Sequence, residues 1–500
     1  MRRDSTTSLR YLVPKRVGGL KRIAGVTNRD GLLATIGLTV ARELAAAGQS
    51  VALLEAGGLE RTDASQAIYK GQETGLKTWN AIESCRLRYF GGTSNHWSGQ
   101  CGVFDPSDFA AVRHHDLPGW PIERQELMVH LPQAMNILDL GTGDFNSRPI
   151  IANKPSRFVT PAIRLSPPTR FGTKYRKEVV ESRRIDLFLN ANLVDMRLEP
   201  QAGGLPRVAT GLVRNYAGGK VAVKATRFVL AMGAIETARL LLNCNGQLPA
   251  GIGNESDFVG RCFMDHLNVQ LGRFVVRDRA FFRANTGVMY PSQQLMQQHR
   301  MGGGVVALAP HFMPPDYTGR LGRVKEFLRD EACRFDTVRE YARKFADFNC
   351  DGEGVITSLI EQVPDRNSRV TLNGETDTFG QRRAHLHWVI NHADKRTIRT
   401  LALELAQELV MLDVARVKLA RYITDPDREI ELTNHCHQMG TTRMSKDPKD
   451  GVVDRNCKVH TVGNLYIAGS SVFPTGGGIN PTLTLVMQSL RLSQHLASTV

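Results

Sequence analysis

Five hundred residues exceed what one hydrophobic core usually organises, so the length excludes a peptide or lone module and points to two or three domains. With 42% hydrophobic and 23% charged residues the chain has enough apolar surface to offset the entropy of folding, which excludes a disordered tail. The net charge of +15 could suggest a polyanionic partner, but residues 1–36 alone hold eight Lys or Arg against two Asp. The remaining excess is diffuse, without a basic stripe or interleaved aromatics, so no nucleic-acid partner is expected.

No window reaches the ~18 consecutive apolar residues of a membrane helix, and the first thirty residues are broken by charge. The expected compartment is therefore cytoplasmic, with no integral membrane segment. The eight cysteines, Cys85, Cys101, Cys244, Cys262, Cys333, Cys350, Cys436 and Cys457, form no CxxC pair and no dense framework. Free thiols are the expectation.

In chain order, residues 37–48 (GLTVARELAAAG) put Leu38, Ala41, Leu44 and Ala45 on one helical face and close at Gly48. A short apolar strand, Val51 to Leu54, then ends in Glu55 and Gly57-Gly58. In a dinucleotide-binding fold an acid at that strand end accepts hydrogen bonds from the adenosine ribose hydroxyls. A glycine fingerprint whose last member is Gly37 would place its other glycines at positions 32 and 34, which are Leu32 and Ala34. Residues 26–33 read VTNRDGLL, so the apolar strand expected upstream is absent and only the second half of a βαβ unit is legible.

Short strands follow at Leu187 to Leu189, Val194 to Leu198 and Phe228 to Ala231, with a hairpin around Gly218-Gly219. In TRFVLAMGAIETARLLLN a strand reaches Gly233 and a helix carries Ile235, Ala238, Leu241 and Leu242. From about 271 to 430 come mixed strands and a helix near 394–412, with no cofactor motif, which reads as a substrate domain. His435 and His437, on one strand face, could be two metal ligands, but no third with supporting spacing appears, so no metal is expected. After the strand-like NLYIAGS at 464–470, Gly476 to Gly478 lead into Asn480, a suitable helix N-cap, and Pro481, a suitable first helical residue.

Four blocks together resemble the glucose-methanol-choline (GMC) oxidoreductases: LRYFGGTSNHWSG at 87–99, LAMGAIETARLLLN at 230–243, VGRCFMDH at 259–266, and the run from CHQMGTTRM at 436 through GINPTLTLVMQSL at 478–490. The resemblance covers roughly residues 37–500. It implies an α/β fold: a Rossmann-like FAD-binding domain of discontinuous segments (37–110, 175–270 and 433–500) and an α+β substrate domain with a mixed or antiparallel sheet (111–174 and 271–432). Residues 1–36 form an atypical N-terminal segment.

The resemblance also implies roles. His437 becomes the general base that takes the hydroxyl proton of a sugar or polyol while the carbon gives hydride to FAD, and Asn480 holds the same oxygen. The electron acceptor is oxygen, a quinone or a redox protein. The cofactor would be bordered by Gly37, Glu55, Gly91, Gly92, Asn95, Val194, Gly233, Gly469, Ser470, Pro481 and Thr482. GGTSNHW at 91–97 is similar to the segment through which pyranose oxidases link a histidine covalently to the flavin, so His96 is a candidate for that link, with non-covalent FAD as the alternative. At the amino terminus the chain departs from the family. Leu32 and Ala34 place side chains where backbone should approach phosphate, implying either a shifted reading frame or wrong start, or a relative that has lost FAD binding and is catalytically impaired.

Overall fold

A computed structural model describes residues 23–28, 31–78, 81–110, 116–151, 156–167, 169–311, 331–345 and 350–499, together with 324, 327 and 328. Much of the basic N-terminal segment thus lies outside the described residues. Two sheets organise the rest. The first has five strands in the order Leu465–Ile467, Arg227–Ala231, Ile23–Asn28, Ser50–Glu55 and Ile185–Phe188, and every pairing is parallel. Parallel strands need crossovers, and helices Gly31–Ala46 and Gly233–Asn243 supply them in a doubly wound arrangement.

The expectation of a missing upstream strand is wrong. Ile23–Asn28 occupies the middle of this sheet, with Val26 beside Val229 on one side and Leu53 on the other. A parallel ladder is made by backbone groups, so small and β-branched residues with a polar end satisfy it without the apolar run that marks a central strand in sequence. The following helix begins at Gly31, six residues ahead of Gly37, and ends at Ala46 with Gly48 at φ +85° beyond it. Leu38, Ala41 and Leu44 are buried as their spacing predicts, and this helix packs against the last one, Thr482–Ser498.

The second sheet is antiparallel throughout its pairings. Its order is Ala415–Leu419, Leu267–Val276, Glu353–Ile360, Gly304–Pro310, Val288–Pro291, Phe158–Thr160 and Arg148–Pro149, with Leu432–Asn434 added beside Leu267. Helix His392–Met411 packs against it. A capping box starts that helix: the Asn391 side chain accepts from the Ala393 and Asp394 N–H groups, and Asp394 accepts from the Asn391 N–H. Asp394 also accepts from Val363 N–H at 2.7 Å, and its burial pushes the carboxyl up to about 7.

Free thiols are likewise not what the fold makes throughout. Cys85 is bonded to Cys436 and Cys333 to Cys350, leaving Cys101, Cys244, Cys262 and Cys457 as buried thiols. Cys85 and Cys436 are 351 residues apart, so only the folded chain shows them as partners. A buried ion network fastens the Gly233–Asn243 helix: Glu236 joins Arg86 and Arg239, and Arg239 continues to Asp377.

Candidate active site

The two sheets meet at a layer built from three distant parts of the chain. The first part follows the Ser50–Glu55 strand. Glu55 is buried at its carboxyl end and one of its oxygens accepts the Gly57 N–H at 2.8 Å. The next loop is stitched to the 87–99 block, since Phe90 N–H donates to Gly58 and the buried Arg88 guanidinium donates to Ala56 O, Asn192 Oδ1 and Tyr216 OH. These bonds bring Glu55, Gly91 and the strand Asn192–Gln201, with its buried Val194, into one neighbourhood.

Gly91 has φ +88°, and a Cβ there would lie 2.5 Å from the Gly172 nitrogen. Only glycine fits so close an approach in that conformation. Gly92 is also buried, while Asn95 is committed to holding the turn, donating to Phe90 O and accepting from Gly172 N–H at 3.0 Å each. His96 stands apart. It is exposed and its Nε2 meets the Tyr89 hydroxyl at 2.8 Å, with no hydrogen bond or ring contact to His437 or Asn480 among the described residues.

The second part is the segment after strand Leu432–Asn434. Cys436 is tied to Cys85, and Asp265 accepts the His437 N–H at 2.8 Å and an Asn434 amide hydrogen at 2.9 Å. The Asp265 carboxyl is fully buried, and that burial pushes it up to about 7 despite these bonds. Three imidazoles converge here. His437 Nδ1 lies 2.9 Å from His266 Nδ1, His266 Nε2 lies 2.8 Å from the Gly477 carbonyl, and the His435 ring stacks on His437 at 5.9 Å. Burial holds His437 well below the usual imidazole range, and the neighbouring His266 and His435 push it the same way. His437 nevertheless keeps a partly accessible face. Among the described residues no group of three or more His, Cys, Asp or Glu is arranged to hold a metal ion.

The third part is the loop before the last helix. Asn480 does not cap that helix as expected: Pro481 occupies the cap position without a side-chain bond, and Asn480 Nδ2 instead reaches His437 Nε2 at 3.5 Å. A buried layer of Phe104, Trp120 and Phe473 stands beside the loop, with Trp120 Nε1 donating to Thr475 Oγ1 at 2.8 Å. At Gly478 a Cβ would lie 2.5 Å from the Gly303 backbone, which closes the loop down on the second sheet.

Polar groups awaiting a partner collect where the first sheet's strands end. Thr237 Oγ1, Gln438 Nε2, Thr442 Oγ1 and Ser471 Oγ are buried with no hydrogen-bond partner among the described residues. The segments carrying them are joined: Thr442 N–H donates to Ser471 O, Thr441 Oγ1 to Ala234 O, and Ser470 Oγ to Gln438 O. Gly233 and Gly469, at φ +87° and +139°, flank the same strand ends. A doubly wound sheet binds its dinucleotide at the carboxyl ends of its strands, so this donor and acceptor set fits such a ligand. The phosphate turn is the part that departs. Positions 32, 34 and 37 are helical, Gly37 is buried within the helix rather than closing a turn, and residues 29–30 lie outside the described residues.

Asp265 and His266 received no role from the sequence, although VGRCFMDH was singled out. Their adjacency was the available signal. Their partner His437 is 171 residues away from His266, a pairing that spacing cannot reveal.

Together, a parallel doubly wound sheet with a buried acid at a strand end, an antiparallel companion sheet and a facing His–Asn pair define an α/β fold of the dinucleotide-binding class. Residues 364–489 match the family model for GMC oxidoreductase. Paromamine 6'-oxidase of Streptomyces fradiae is 29% identical over 285 residues, which are 55% of this chain and 46% of that protein. The fructose dehydrogenase large subunit of Gluconobacter japonicus is 27% identical over 287 residues, 55% of this chain and 47% of that one. The chain thus spans about half the length of the curated relatives it matches. The crystal structure of pyridoxine 4-oxidase from Mesorbium loti superposes over 96% of this chain and 100% of that one, with TM-score 0.58 and 16% identity, a likeness of fold. The family match thus rests on residues 364–489, while the likeness in fold extends over nearly the whole chain.

Proposed function

We propose that the protein oxidises the CH–OH group of a small alcohol, sugar or polyol to a carbonyl with FAD. The observation that carries this reading is the facing of Nε2 of the partly accessible His437 and Nδ2 of the buried Asn480 at 3.5 Å. Glu55, Val194, Gly233, Gly469, Ser470 and the unpartnered hydroxyls would hold the dinucleotide, while Gly91, Gly92, Pro481 and Thr482 would border its ring end. When bound, FAD supplies the two-electron acceptor for the oxidation.

The chain's own groups handle the proton. A substrate hydroxyl between the two side chains would give its proton to His437 Nε2 and accept a hydrogen bond from Asn480 Nδ2. Because burial lowers His437 from 6.5, its base form is the resting one at neutral pH. Protonation sets in only as pH falls below that value, so the acid limb of the pH–rate profile should lie below 6.5. A limb above it would remove His437 from the role. Replacing His437→Ala should abolish alcohol-dependent flavin reduction while FAD stays bound, and undiminished reduction would refute the assignment.

A second reading is a relative without bound FAD, favoured by the helix that runs through positions 32, 34 and 37. The visible spectrum of the purified protein decides: a flavin spectrum sinks this second reading, and a colourless protein that takes up no added FAD sinks the first. Acid precipitation extends the test to His96, since colour kept in the pellet means a covalent link.

A further inference from the structure

We infer that His266 is a positioning residue that fixes the tautomer of His437, keeping hydrogen on Nδ1 and leaving Nε2 bare toward Asn480. This rests on the reading of His437 as the base. The argument starts at Gly477, whose carbonyl only accepts. His266 Nε2, 2.8 Å from that oxygen, must therefore carry a hydrogen. Burial drives His266 down to about 4, so its ring is neutral and carries that one hydrogen only. Its Nδ1 is then an acceptor.

The contact between the two Nδ1 atoms, at 2.9 Å, requires one hydrogen, and His437 must provide it. His437 is itself held neutral by burial, so its second nitrogen, Nε2, is bare. What stands in front of Nε2 agrees: the Asn480 amide nitrogen, a donor, lies 3.5 Å from it. His435 does not compete, because its Nε2 is spent on the Ser358 carbonyl at 3.2 Å. The backbone is fixed independently, by Asp265 on the His437 N–H. One fixed carbonyl thus determines, through two rings, which nitrogen of the base is free to take a proton. When His437 accepts a proton at Nε2 it becomes a cation whose Nδ1–H still points at the His266 lone pair, so the charged ring is held in the same orientation.

The test is selective 15N-histidine NMR on the purified protein without added substrate, with the His437 signals assigned by their loss in His437→Gln. The expected pattern is a protonated Nδ1 and a bare Nε2. The opposite pattern in the unmodified protein overturns the inference, whatever the activity. His266→Phe removes the acceptor and should invert the pattern and lower kcat by roughly 10²-fold or more, within the range for removing a general base, with KM little changed. An unchanged pattern in that variant also overturns the inference. His266→Asn places an amide oxygen near the lost Nδ1 and should restore both the pattern and most of kcat. The NMR readout needs no turnover, so a failure of His437 as the base, seen in His437→Ala, is separable from a failure of the tautomer lock.

Discussion

Replacing Asp265→Ala should destabilise the protein in a pH-dependent way. The buried carboxyl group accepts bonds from both His437 N–H at 2.8 Å and the Asn434 amide at 2.9 Å. Depriving a buried donor of its acceptor costs about 1–3 kcal/mol, so the loss of both costs roughly 2–6 kcal/mol. Against this stands the cost of ionising the acid itself. Burial raises the carboxyl from 3.8 to about 7, so between those values the unfolded chain has released its proton while the folded one keeps it. The folded state therefore binds more protons, and this group's contribution falls as pH rises, until it levels off above about 7. From pH 5 to pH 8 the native acid passes through roughly two units of that window, or about 3 kcal/mol. The alanine variant escapes this loss. Urea unfolding of both proteins at the two pH values should show a stability gap that shrinks by about 3 kcal/mol from pH 5 to pH 8. Asp394, raised to the same extent, is present in both proteins and cancels. A gap that is constant with pH would refute the reasoning, because it would mean that Asp265 titrates alike in the folded and unfolded chains.

Two further outcomes follow from the geometry. Thiol titration in denaturant should count four reactive cysteines without reductant and eight with it, and a count of eight without reductant would remove both disulfides. Gly478→Ala would drive a methyl group to within 2.6 Å of Gly304 N and the Tyr290 hydroxyl, so the loop carrying Asn480 must shift. Flavin reduction by substrate should drop at least tenfold, in line with the sensitivity of such sites to displacements of about 1 Å, and unaltered reduction would show the loop to be more yielding than drawn.

The parts of the fold that sequence reveals are those in which local pattern and outcome coincide. Leu38, Ala41 and Leu44 announce a buried helix face, and the 51–54 run announces a strand with Glu55 at its end. What escapes is what depends on partners elsewhere. The Ile23–Asn28 strand lacks an apolar signature because its neighbours are found through the backbone. Cys85 and Cys436 are unremarkable singly and become a pair only once the chain between them, a separation of 351 in sequence, has folded. At the site, His437 and Asn480 were named from the blocks around them, and the structure sets them 3.5 Å apart. Yet the cap expected of Asn480 was a local rule overruled by a tertiary contact. His266 went unassigned because its chemistry lies entirely in what it touches.

The five-stranded sheet has a further consequence for how the chain is made. Its outer strand, Leu465–Ile467, and the helix that covers the early Gly31–Ala46 helix are translated after the sheet's other four strands. The four strands that precede it must therefore wait, partly exposed, through the synthesis of most of the antiparallel sheet before this last neighbour arrives. During that interval the Arg227–Ala231 strand offers an open parallel edge, the form of surface that pairs indiscriminately. Production of the protein should thus be limited by chaperone supply while the ribosome is still working, more than by the stability of the finished molecule.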